Sequence, residues 1–154
     1  IDRLDCLNPD SSSPSLRIVD YKTGTVHASA STAEEAFSAA YPAKHLFQLQ
    51  LYANLYNIWS DKENRPISTV VYDVGNILKD GNARSEGGIV VPRIGKDRLI
   101  SHLSLTDAHG VNFNTRFMDQ LRMTIREILD PSVPFHQTED EQNCRYCRMK
   151  GICG

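Results

Sequence analysis

The stretch RIVDYKTG, residues 17–24, decides how the chain is read. It runs from strand-forming residues into an aspartate, skips one position and presents a lysine. Alternate residues of a strand point to the same side of the pleat, so Asp20 and Lys22 project together while Tyr21 turns the other way. An acid and a base at this spacing are most often an exposed ion pair. Here Ile18 and Val19 stand immediately before the acid and carry the strand into the core, where a charge is costly without a purpose. The pair is therefore either a same-face surface pair or part of a reaction centre.

The flanking sequence extends the frame. Residues 1–7 alternate as a strand, and NPDSSSPS, residues 8–15, is a cluster of turn formers. A β-hairpin of 1–7 and 16–22 follows, and Asp2 falls near the end that pairs with Asp20. Two carboxylates on neighbouring strands can hold a hard divalent cation through oxygen. A lysine beside them can steady an attacking hydroxide or the charge on a phosphate.

Further along, STAEEAFSAAY (31–41) opens on a Ser/Thr cap and predicts a short helix interrupted by Pro42. HLFQLQLYANLYNIW (45–59) predicts a longer helix, with Leu51, Leu55 and Ile58 joining Leu46 or Phe47 in an apolar stripe. A β-branched strand is expected at 67–74, short strands at 89–91 and 99–105, and a second amphipathic helix at 113–129. LKDGNARSEGG (78–88) is a polar loop without the glycine and lysine order of a phosphate loop. The order hairpin, helix, strand, helix predicts an α/β domain with a mixed β-sheet flanked by helices. Because the chain opens without Met and is already strand-like, it is expected to be N-terminally incomplete.

Composition bounds the function. With 154 residues, 40% hydrophobic and 23% charged, the chain fits one globular domain, residues 1–154. A formal net charge of −2 gives no global nucleic-acid footprint, although a metal site itself needs clustered carboxylates. No apolar run approaches the roughly 20 residues of a membrane helix and no signal peptide is visible, so no membrane partner and a cytoplasmic location are expected. Three of the four cysteines, Cys144, Cys147 and Cys153, crowd into the tail (135–154), which is a metal or staple pattern rather than a secreted disulfide framework. His27, His45, His102 and His109 show no ligand spacing and are expected at the surface or at caps. Arg116, Arg122 and Arg126 on the second helix form a solvated face or phosphate contacts. Arg145, Arg148 and Lys150 make a basic cluster suited to DNA.

IDRLD followed by LRIVDYKTG resembles the second and third motifs of the PD-(D/E)XK nuclease superfamily, in the form found in RecB-like nuclease domains. That family carries an Asp at the end of one strand and D-x-K on the next, positions taken here by Asp2, Asp20 and Lys22. It adds Q-x-x-x-Y on the following helix, matched by Gln48 and Tyr52, one helical turn apart. The resemblance implies a restriction-endonuclease-like core and a Mg²⁺- or Mn²⁺-dependent deoxyribonuclease. In it Asp2, Asp20 and the Tyr21 backbone carbonyl hold the metal, Lys22 serves the attacking water, and Gln48 and Tyr52 position the phosphodiester. The implied setting is DNA recombination and repair, as an exonuclease joined to a helicase domain or subunit.

The tail resembles the C-x2-C-x5-C ending of AddB-type nucleases, in which three cysteines join a fourth, far upstream, around a [4Fe–4S] cluster. Cys6 does not stand where the family places that ligand. The fourth thiolate then lies before Ile1, or the three cysteines form a metal-free knot; zinc would also need a fourth ligand, with His136 a weak candidate. The family's first motif, a Glu or His on a helix ahead of the first strand, is missing, so the chain by itself is expected to be nearly inactive. The alternative is a non-catalytic DNA- or partner-binding module of the same fold.

Overall fold

The computed structural model describes residues 1–10, 14–38, 43–60, 67–75, 77, 88–136, 144–145 and 147–153. Strand β1 (Arg3–Leu7) pairs antiparallel with β2 (Ser15–Lys22), Arg3 opposite Val19 and Leu7 opposite Ser15. After the short strand β3 (Ser29–Ala30) come helices α1 (Ala33–Phe37) and α2 (Lys44–Trp59), then β4 (Ile67–Asp73). Strand β4 runs parallel to β2 in an unbroken register from Leu16 against Ile67 to Lys22 against Asp73. Parallel neighbours need a crossover connection, and α2 supplies it. Strand β5 (Ile89–Val90) closes the sheet in the order β1-β2-β4-β5.

Leu49 and Ala53 of α2 pack with Leu16, Ile18, Ile67 and Val71, which fixes the helix over one face of β2 and β4. A smaller sheet, β3-β6-β7, is built from β6 (Arg93–Ile94) and β7 (Asp97–Arg98). Its tight turn uses Gly95 at φ 59°, a backbone state glycine adopts without steric cost. A second core joins Ala30, Ala33, Leu46, Ile94 and Leu99 to Phe113 and Phe117 of α3 (Phe113–Leu129). Asn112 caps α3 by accepting the Thr115 N–H at 3.1 Å. The expected α/β fold with mixed sheets and flanking helices is present.

Contacts divide the chain into two compact units, Ile1–Leu121 and Arg122–Gly154. The second holds the rest of α3, a turn in which Ser132 donates to Asp130, and α4 (Lys150–Cys153).

Several local expectations are corrected. The first helix is shorter than predicted: Thr32 caps it through the Glu35 N–H at 3.3 Å, it ends at Phe37, and residues 39–42 lie outside those described. Residues 99–105 form no strand; Leu99 fills the second core and His102 turns inward, so their apolar character reflects packing rather than a ladder. The predicted stripe of α2 is also misassigned. Leu46 and Leu49 are buried, but Leu55 and Ile58 are 52% and 64% exposed. The inner face instead carries Gln50, Asn54 and Asn57, one turn apart in succession.

Those amides are buried against partners, although the Gln50 side-chain oxygen accepts no hydrogen bond. Gln50 donates to the His102 carbonyl at 2.8 Å and to Asn114 at 2.6 Å, and Asn54 and Asn114 exchange bonds at 2.8 and 3.1 Å. The Ile67 N–H points at His102 Nδ1, 3.3 Å away, which leaves the ring proton on Nε2. The Asn57 side-chain amide nitrogen lies 3.2 Å from the other ring nitrogen, Nε2. An unmet buried polar group would cost about 1–3 kcal/mol; this network ties α2, α3, β4 and the 99–105 segment together.

Candidate active site

Strand β2 reaches the end of its core-facing run at Asp20, which is only 3% exposed. Leu16 and Ile18 belong to the core under α2, and strand alternation puts Asp20 and Lys22 on that same face. Lys22 Nζ sits 2.6 Å from Asp20 Oδ2. On the other face Tyr21 packs edge-on against Tyr72 and accepts a hydrogen bond from Arg3 at 3.1 Å. The acid and the base thus share one centre, and Tyr21 turns away.

Helix α2 brings Gln48 and Tyr52 onto this pair. Gln48 Nε2 donates to Asp20 Oδ1 at 3.3 Å and to the Tyr52 hydroxyl at 2.7 Å. One amide therefore spans the carboxylate and the phenol, which their four-residue spacing allows. Burying the Asp20 carboxylate carries a desolvation cost that its half-buried lysine partner only partly offsets; its presence here needs another reason.

Asp2 arrives from the other side. Continuing the hairpin register by one residue sets it opposite Asp20, and its carboxylate accepts the Tyr21 N–H at 2.7 Å. Asp5, the second acid of IDRLD, does different work: it pairs with Arg3 at 2.9 Å and Arg17 at 2.8 Å on the outer face of the hairpin. The Arg17 hydrogen bond holds the Asp5 carboxyl below the usual carboxylate range.

For a divalent cation the oxygen set around Asp20 is suitable. Asp20 Oδ2 is buried and makes no aligned hydrogen bond, facing only the Lys22 ammonium. An incompletely satisfied buried carboxylate, with a peptide carbonyl beside it and a second acid opposite in the hairpin register, offers oxygen atoms of the hard kind that suit Mg²⁺ or Mn²⁺. Among the described residues, no three or more His, Cys, Asp or Glu side chains are already gathered as a metal cage.

Two features of this centre carry no motif. Asp73 ends β4 in register with Lys22, is buried, and lies two residues from Val71, whose side chain packs under α2. Its only sequence signal is an acid at a strand end. Gly75 stands where a Cβ would run into the Thr23 carbonyl, so the chain segments leaving β2 and β4 touch through a glycine.

The histidines correct the expectation of surface or cap positions in part. His109 is exposed, but His45 and His102 are buried at 6% and 1% exposure. Burial lowers the His102 pKa to about 4. Burial, then repulsion from Lys22 and Lys44, holds His45 below the ordinary histidine value. Arg116 pairs with Glu34 at 2.8 Å and lies 3.5 Å from Asp107, so it is committed within the fold.

In the second unit Arg145, Arg148 and Lys150 are exposed, and Cys144 and Cys147 are free thiols. The Cys147 N–H donates to the Cys144 carbonyl at 3.2 Å, as in a tight knuckle. The Cys153 side chain lies outside the described residues. Among the described residues no helix is long and apolar enough to cross a membrane.

The family model described as the PD-(D/E)XK nuclease superfamily matches residues 1–154, including the middle of the chain. No curated protein and no solved structure matches the chain. The chain belongs to the PD-(D/E)XK nuclease superfamily.

Proposed function

We propose that this chain is the catalytic part of a divalent-metal-dependent deoxyribonuclease centred on Asp20 and Lys22. The observation that carries it is the pairing of buried Asp20 with Lys22, held from the neighbouring helix by Gln48 and, through it, Tyr52. Asp20, Asp2 and the Tyr21 carbonyl would hold the cation. When bound, that cation supplies Lewis acidity and lowers the cost of producing hydroxide at neutral pH. Lys22 donates to the attacking water or to the oxygen on which charge develops, a role its fixed ammonium suits. Gln48 and Tyr52 orient the phosphodiester and keep the Asp20 carboxylate in one rotamer.

An exonuclease of recombination and repair, working beside a helicase domain or subunit in the cytoplasm, is the setting that the D…D-x-K and Q-x-x-x-Y order supports. The exposed Arg145, Arg148 and Lys150 are assigned to DNA phosphates. A [4Fe–4S] cluster on Cys144, Cys147 and Cys153 requires a fourth thiolate.

The test is cleavage of single- and double-stranded DNA by the full polypeptide, with Mg²⁺ or Mn²⁺, in wild type, Asp20→Asn and Lys22→Ala. Both variants should fold and lose at least about a hundredfold in rate, as expected for groups acting on developing charge. Undiminished cleavage by either variant would remove that residue from the mechanism. DNA binding without cleavage in the wild type would favour the binding-module alternative.

A further inference from the structure

Beside the Asp20 centre lies an open cleft of about 440 Å³ between the exit of β2 and the start of α2. Lys22, Thr23, Thr25, His27, Lys44 and His45 line it, and among the described residues no acid does. Helix α2 begins there without any side-chain cap on Ala43 and without an acid in its first turn. The positive end of a helix disfavours cations, yet Lys44 occupies its first position. Lys44 and an uncapped helix start therefore share one concavity with Lys22, whose ammonium Asp20 already pairs at 2.6 Å, and an anion there would meet Lys44 and the helix end.

The second, independent observation is His45. Its side chain is nine-tenths buried, and its Nδ1 accepts the His27 N–H at 2.8 Å. The ring proton is thereby fixed on Nε2, which has no acceptor among the described residues. The His45 N–H also binds the His27 carbonyl at 3.0 Å, and the two rings lie 3° from parallel. The imidazole is thus held at Nδ1 in a residue that lines the cleft, with its Nε2–H left without a partner among the described residues.

We propose that this cleft is a phosphate subsite, built from Lys44, the His45 Nε2–H, the Thr23 and Thr25 hydroxyls and the α2 N-terminus. It takes the phosphate of the nucleic-acid strand next to the one presented to Lys22. Lys22 borders both places, so its ammonium bridges the subsite and the Asp20 centre. The identification of the occupant as a strand rests on the nuclease reading; the anion chemistry does not.

Two arms separate those statements. In the first, inorganic phosphate is titrated into the chain while the His27 and His45 imidazole signals are followed by NMR. A saturable shift is expected in wild type, weakened by about tenfold in Lys44→Ala, where one exposed charged contact is removed. Lys44 is at the surface, so this variant should fold; His45→Gln, which keeps a side-chain donor, serves as the second variant. No response to phosphate in wild type would overturn the subsite altogether.

In the second arm, a fluorescent single-stranded oligonucleotide is bound with Ca²⁺ in place of Mg²⁺, at several salt concentrations. Loss of one phosphate contact in Lys44→Ala should lower the salt slope by roughly one and weaken binding by several-fold. An intact phosphate response with unchanged oligonucleotide binding and slope in Lys44→Ala would overturn the strand as occupant, leaving a site for free phosphate.

Discussion

Acidification should weaken this fold through one ring. His102 accepts the Ile67 N–H and meets Asn57 with its other nitrogen, and nothing nearby rewards a positive charge there. Burial lowers its pKa from 6.5 to about 4. Because the folded value lies below the unfolded one, the unfolded chain binds the extra proton. The neutral ring's contribution is complete above pH 6.5 and is lost as the pH falls towards 4. Between pH 7 and pH 5 the loss is about 2 kcal/mol, by linkage at about 1.4 kcal/mol per unit.

The assay is urea unfolding of wild type and His102→Gln at pH 7, 6 and 5. The variant should be less stable at pH 7, since it loses the ring that the Ile67 N–H requires, but it cannot titrate. The stability gap between the two proteins should therefore narrow by about 2 kcal/mol towards pH 5. A gap that stays constant over this range would refute the argument. Should the variant not fold, direct NMR titration of the wild-type ring decides the same point, and a His102 midpoint near 6.5 would refute it.

Further expectations follow from the same geometry. Tyr52→Phe removes the hydroxyl that accepts from Gln48 at 2.7 Å; it should leave the Tm within a few degrees and reduce DNA cleavage about tenfold or more, with unchanged cleavage excluding Tyr52 from the centre. Gly75→Ala should destabilise the chain by about 1–3 kcal/mol in chemical unfolding, because the new methyl meets the Thr23 carbonyl rather than a movable side chain. The chain purified alone should lack the visible absorbance of an iron–sulfur cluster, since its tail offers three thiols where such clusters use four. A brown chain holding iron through Cys6 as well would show that the hairpin and tail meet. Calorimetry should detect weak Mn²⁺ binding by wild type and none by Asp20→Asn; equal binding would move the cation away from Asp20.

The hairpin, the long helix and the parallel strand were legible because each carries a strong local signal. Strand alternation alone put Asp20 and Lys22 together, and helical spacing alone put Gln48 and Tyr52 on one face. The inner face of α2 was not legible, since Gln50, Asn54 and Asn57 are buried by amides and a histidine that lie far away in sequence. Leu55 and Ile58 satisfied the helical period and still face water. The three-stranded sheet was missed because its strands are two residues long and leave no periodicity. Residues 99–105 misled for the opposite reason, being apolar enough for a strand while Leu99 and His102 are buried one at a time. Asp73 shares the sheet face with Lys22 only through pairing between strands about fifty residues apart.

The unbroken ladder from Leu16–Ile67 to Lys22–Asp73 has a consequence for how this sequence can change over time. Side-chain direction along it alternates, so the chemistry depends on parity. A single inserted or deleted residue between Leu16 and Asp20 would turn the acid and the lysine towards the Tyr21 face and bring Tyr21 under α2. A two-residue change would restore the direction but carry the pair about 6.6 Å along the strand, away from Gln48. Descendants of this chain can therefore exchange Ile18 or Val19 for other β-branched residues, yet they inherit the length of the segment as a fixed quantity. Length variation should instead collect in the connection between Leu7 and Ser15, from which no side chain of the centre is counted.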